Sequence, residues 1–181
     1  MSQGTTIRFT YQDYLQLPDE SRYEILDGDL QMSPSPTERH QQAVGNLYEV
    51  FARFVRERRL GRVLIAPFDG ILSETVVVQP DVLFVSRDRA AIVRENGVFG
   101  APDLVIEVMS PATAQRDRTV KAKLYARAGV KELWLVDPDG RTIEVLSNGP
   151  DGFQRVSFSR ADEAASSPIL PGLRVVVNEG L

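Results

Sequence analysis

One carboxylate stands alone in an apolar run. Residues 104–109 read Leu-Val-Ile-Glu-Val-Met, with Glu107 in their middle. Burying an unpaired carboxylate is costly, or forces it into the neutral form. A metal ion, an arginine partner or a place at a cleft edge would each relieve that cost. Strand side chains alternate, so Asp103, Val105, Glu107 and Met109 share one face, and Asp103 is a candidate companion near the strand's start. A second acid, Asp81, follows Gln79-Pro80 and opens the apolar run 82–85. Proline is tolerated at a strand's first position, and an acid there is commonly only a turn residue. Its value rises beside Glu107: if the two strands pair, both acids supply the hard oxygen ligands that suit Mg²⁺ or Mn²⁺. Asp117, Lys121 and Tyr125 recur at four-residue spacing and share a helix face. They belong either to an exposed, salt-bridged helix or to one whose lysine leans over the end of the Glu107 strand. In the second case Lys121 orients a water or stabilises phosphate charge.

These residues need elements to carry them. Residues 10–17 form a short helix stopped by Pro18, and 22–32 two strands around the hairpin signal Asp27-Gly28. Ser35 as N-cap, Pro36 at the first helical position and Glu38 predict a helix start. That helix runs to about Arg59, with Val44, Leu47, Tyr48, Phe51, Phe54 and Val55 on one face, and Gly61 ends it. Strands follow at 62–66, 70–72, 76–78 and 81–85. Residues 86–100 read as polar and irregular with room for one helical turn, and 104–109 as a strand buried on both faces. A helix over 116–128, capped by Gly129, precedes strands at 131–136, 142–146, 153–158 and 173–177. The order predicts an α/β (α+β) mixed sheet flanked by helices, in one domain spanning 1–181 with its core at about 11–177.

The 181 residues suffice for one domain with a real core. No apolar run is long enough to span a bilayer, and Met-Ser-Gln-Gly-Thr-Thr lacks a signal-peptide pattern, so the expected location is cytoplasmic. There is no cysteine, which excludes disulfides and thiolate metal sites. The net charge of -4 argues against a protein held on a phosphate backbone by charge alone. It does not exclude a metal-dependent nuclease, whose site is itself acidic. The basic stretches at 53–62 and 116–127 read by themselves as solvated helix faces.

Taken together, Pro80-Asp81 followed by an acid in a buried strand resembles the PD-(D/E)XK nuclease pattern. The surrounding motifs resemble one branch of it, the Uma family, grouped with restriction endonucleases. They are Tyr23-Glu24-Ile25-Leu26-Asp27-Gly28, Ser33-Pro34-Ser35-Pro36 with His40, Gln79-Pro80-Asp81, and Pro102-Asp103-Leu104-Val105-Ile106-Glu107-Val108 with Ser110-Pro111. Tyr125-Ala126-Arg127-Ala128-Gly129-Val130, Trp134-Leu135-Val136-Asp137 and Ser167-Pro168-Ile169-Leu170-Pro171-Gly172-Leu173 continue the match. The resemblance implies a restriction endonuclease-like fold and hydrolysis of phosphodiester bonds in DNA. Asp81 and Glu107 would hold Mg²⁺ or Mn²⁺, with the Val108 backbone carbonyl as a further ligand.

The superfamily pattern places a lysine two residues after the second acid, where this chain has Met109. Members of this branch place it on the following helix, where Lys121 matches; Lys123 is the less favoured substitute, a little over half a turn away. Glu24 and His40 also match family positions. Glu24 is a third acid of the site or a surface residue, and His40 an accessory group in the first helical turn. The rival readings are a non-catalytic module of the same fold that binds nucleic acid or protein, and a hydrolase of small phosphate esters. Strand-rich tails and exposed sheet edges predict a homodimer.

Overall fold

The computed structural model describes residues 7–18 and 22–181. The N-terminal stretch 1–6 lies outside them. Local chemistry fixes the first elements. A capping box between Thr10 and Asp13 starts α1 (Tyr11–Tyr14). Strands β1 (Tyr23–Leu26) and β2 (Asp29–Met32) close around Asp27 and Gly28, whose φ angles of 58° and 91° are those a tight hairpin turn requires. Helix α2 (Glu38–Glu57) begins at Thr37, whose hydroxyl accepts from the His40 N–H at 3.3 Å. That is two residues beyond the Ser35 start expected from the sequence. Residues 33–37 stay outside any regular element instead, and they become a wall of the cleft described below. At its far end the helix stops at a left-handed Arg59 (φ 54°), before Gly61 is reached.

The chain then lays down β3 (Gly61–Ile65), β4 (Gly70–Ser73), β5 (Val76–Val78) and β6 (Val82–Ser86). Within 86–100 the helical turn is a 3₁₀ turn (Arg87–Ile92), and two strands that the sequence reading did not place follow it, β7 (Val93–Arg94) and β8 (Gly97–Phe99). At two and three residues these strands are too short for alternation to show. Strand β9 (Leu104–Val108) follows. The next helix has three parts: α3 (Ala114–Arg116), a π turn (Asp117–Lys121) and α4 (Ala122–Ala128), ended by Gly129 at φ 94°. Strands β10 (Glu132–Asp137), β11 (Thr142–Gly149), β12 (Gly152–Arg160), β13 (Ala164–Ser166) and β14 (Arg174–Val176) lead to α5 (Val177–Gly180).

The central sheet has the order β12-β11-β10-β9-β6-β3, and only β9 and β10 run parallel. A second sheet, β2-β1-β5-β4-β8-β7, is also mixed, and β13 and β14 form a small ribbon. Strand alternation on β9 divides the core. Leu104, Ile106 and Val108 face α2, packing with Val44, Leu47, Phe51 and Val55. Val105 and Met109 face the other way, into a cluster with Leu124 and Tyr125 of α4 and with Leu26, Val76 and Val78 of the second sheet. Glu107 belongs to this second face. Phe51 meets Trp134 edge-on, with ring centroids 5.1 Å apart. No helix among the described residues is long and apolar enough to cross a membrane.

Beneath the first layer lies a fully buried acid, Glu132. It accepts from the Trp134 indole N–H at 2.6 Å and from the Ile169 N–H at 3.0 Å. Burial pushes its pKa above the usual 4.5, more than these donors lower it. A raised pKa means that the folded state holds the proton more tightly, so ionisation of Glu132 costs stability as pH rises from about 4.5 through the folded value. Glu132→Gln removes that ionisation. Urea midpoints measured at pH 4 and pH 8 are expected to show the variant gaining on the wild type at the higher pH; a constant difference contradicts this role.

Candidate active site

The register of β6 and β9 decides where the two acids of the sequence pattern meet. Val82 pairs with Ile106, so Asp81 and Glu107 follow at the same end of neighbouring antiparallel strands. Asp81 Oδ2 accepts from the Val108 N–H at 2.8 Å and lies 3.4 Å from His40 Nε2. Burial works against charge on His40, but Asp81 outweighs it and the imidazole pKa rises. The structure also brings Glu24 and Lys121 to this end. The Lys121 ammonium lies 2.7 Å from Glu107 Oε1, 2.9 Å from Glu24 Oε1 and 3.9 Å from Asp117 Oδ1. Glu24 is turned inward because β1 packs its Glu24 and Leu26 face toward the central sheet, and Gln79 N–H donates to Glu24 Oε1 at 2.8 Å.

These groups lie at the base of a cleft of about 270 Å³. Residues 33–37 and 110–113 supply walls, and Arg22 and Arg116 also line it. The cleft shares Thr37, His40, Ser110 and Pro111 with a neighbouring recess that reaches Arg39, Pro138 and Asp139. Burial pushes the Glu107 pKa well up, helped by Asp117, Asp81 and Glu24, while Lys121 pulls it down. Burial opposes charge on Lys121, but the three acids prevail and push its pKa upward, so it stays an ammonium.

Sequence reasoning did not single out Tyr125 for the site. Its hydroxyl donates to Glu107 Oε1, the atom that Lys121 also contacts. Its place four residues after Lys121 was the available signal. Gln79 was read only as part of a motif, and Arg116 only as part of a basic stretch. Asp103 is not brought to the cleft. It precedes β9 rather than lying in it, and it accepts from Ser86 N–H and pairs with Lys131 and Arg89 at the strand's other end. Lys123 is exposed and off the cleft. Met109 is 4% exposed and part of the apolar core, so the ammonium near Glu107 comes from the helix.

With this geometry in place, a family model described as "Putative restriction endonuclease" matches residues 11–178. The chain belongs to the Uma2 family. Its fold is similar to a crystal structure described as "a putative nuclease belonging to DUF820" from Anabaena variabilis ATCC 29413. The TM-score is 0.77 and the identity 21%, over 95% of this chain and 97% of that one. Comparison with curated proteins gives no match.

The Uma2 site can be tested for a cation by its donors. No three His, Asp or Glu side chains among the described residues are grouped to hold a metal. Asp81 and Glu107 are nevertheless two hard oxygen donors on neighbouring strands, and Tyr125 and Lys121 both address Glu107 Oε1, so Oε2 has no partner among the described residues. Mg²⁺ commonly takes one or two carboxylates and keeps several waters. The donor set fits that cation. The buried ion cluster also has a stability consequence. Lys121→Met strands buried carboxylates and is expected to cost about 3–5 kcal/mol by urea unfolding at neutral pH. Adding Glu107→Gln to that variant is expected to recover part of the loss; additive losses would show that the two groups are not coupled.

Proposed function

We propose that this Uma2 protein is a metal-dependent endonuclease that hydrolyses phosphodiester bonds, with DNA as its substrate. The observation that carries the reading is the meeting of Asp81 and Glu107 at one end of paired strands, with the Lys121 ammonium 2.7 Å from Glu107. Family membership supports it. Asp81 and Glu107 would hold Mg²⁺ or Mn²⁺ together with the Val108 backbone carbonyl. A bound divalent ion supplies neutralising charge to the phosphate and a more acidic water.

The chain's own groups have separate tasks. The Val108 N–H fixes the orientation of Asp81. Lys121 remains protonated, so it stabilises negative charge on the reacting phosphate rather than accepting a proton. Glu24 holds Lys121 in place from the second sheet. Tyr125 donates to Glu107 Oε1, which leaves Oε2 without a partner among the described residues. His40 balances Asp81 and sits where the cleft opens into the neighbouring recess. That continuation favours a polymer strand over a small phosphate ester, for which a closed pocket would suffice.

The test is cleavage of supercoiled plasmid, linear duplex and single-stranded DNA with Mg²⁺ or Mn²⁺. Asp81→Ala and Glu107→Ala are expected to lower the rate by roughly two orders of magnitude or more, and chelator to abolish cleavage. Full activity in both variants would overturn the mechanism. We further propose that the chain dimerises through β12, an edge of the central sheet on which Val156 and Phe158 are exposed. Sedimentation equilibrium is expected to show a dimer in the wild type and a monomer in Val156→Lys/Phe158→Lys; a wild-type monomer refutes this.

A further inference from the structure

The cleft has a charge problem that its acids create. Glu24, Asp81, Glu107 and Asp117 all line it, and a phosphodiester entering it is also an anion. The cations lining it are Arg22, His40, Arg116 and Lys121. Three of them are engaged. Lys121 is 4% exposed and pairs with Glu107 and Glu24. His40 Nε2 faces Asp81, although its Nδ1 is buried without a hydrogen-bond partner among the described residues. Arg22 donates to the Pro34 carbonyl at 3.2 Å. Arg116 differs. Its nearest acid is Glu24 Oε2 at 3.9 Å, the outer limit of an ion pair, and its Nε–H is buried with no hydrogen-bond partner among the described residues. A buried N–H without an acceptor is costly, and such groups are rare in native folds.

We propose that Arg116 is the residue that grips the substrate's phosphate, an assignment that rests on the nuclease reading above. Its guanidinium has the planar fork that matches two phosphate oxygens, and its side chain, 22% exposed, is reachable from the cleft mouth. Position reinforces the chemistry. Arg116 immediately precedes the π turn that carries Asp117 and Lys121, so phosphate grip and charge-stabilising lysine are set by one short stretch of helix. The rest of the lining agrees with recognition of the backbone. It contains no Phe, Tyr or Trp on which a base could stack, but it does offer the hydroxyls of Ser33, Ser35, Thr37, Ser110 and Thr113. Among the described residues the lining therefore offers cations and hydroxyls to a sugar-phosphate chain and no Phe, Tyr or Trp face to a base.

The experiment measures binding separately from cleavage. Fluorescence anisotropy of short fluorescein-labelled single-stranded and duplex DNA is followed over a range of salt concentrations, with Ca²⁺ in place of Mg²⁺. Arg116→Ala is expected to weaken binding roughly tenfold or more and to lower the salt slope by about one. Arg116→Lys is expected to keep the slope and lose affinity, since it keeps the charge but not the fork. It also serves if the alanine variant fails to fold. Single-stranded DNA is supplied as two probes, one rich in purines and one in pyrimidines, and the fall in affinity on Arg116→Ala is expected to be alike for both. Wild-type cleavage with unchanged affinity and slope in both variants would overturn the assignment while leaving the nuclease reading standing. Wild type that neither binds nor cleaves either form of DNA overturns both.

Discussion

A buried ammonium is tolerable only when several acceptors surround it. Lys121 meets that condition with three carboxylates drawn from three parts of the fold. Glu107 comes from the middle of the central sheet, Glu24 from the hairpin of the second sheet, and Asp117 from the lysine's own helix. Removing any of these elements would leave a charge out of water without its counterpart, and that penalty exceeds most single contacts in a protein of this size. The arrangement thus ties the docking of the helix and of the second sheet to one electrostatic centre.

The same centre explains how the site does without a lysine on the strand. Met109 occupies that position and fills apolar space beside Leu124, Leu133 and Leu135. Alternation on β9 sends Glu107 toward the layer formed by α4 and the second sheet, so an ammonium on that layer reaches it directly. Strand and helix therefore divide the work. The paired strands fix two carboxylates side by side, and the helix brings the positive charge.

Much of this was legible in the sequence, for identifiable reasons. Glu107 stood out because an acid interrupts an otherwise apolar strand. The four-residue spacing of Asp117, Lys121 and Tyr125 survived as a shared cluster although a π turn, which leaves no mark in residue types, interrupts the helix. Other features depended on distant contacts. Glu24 was open between surface and site because its burial is decided by the packing of β1 against residues far along the chain, such as Val77. Asp103 was read onto the Glu107 face, but it lies at the opposite end of the strand, where Ser86, Arg89 and Lys131 engage it, and sharing a face does not bring two residues to one end. The helix start was displaced from Ser35 to Thr37 because both residues are competent caps, and only the fold selects between them.

The position of Glu24 on the smaller sheet has a consequence for the cell as much as for the chemistry. The hairpin that carries it is made early in synthesis, but Lys121 and its partners are not assembled against it until the later strands have closed. A chain still emerging from the ribosome, or one cut short by a nonsense codon, has its acids without the ammonium that organises them. The constellation exists only in the finished fold, so whatever chemistry it performs waits for Lys121, Glu107 and Glu24 to meet.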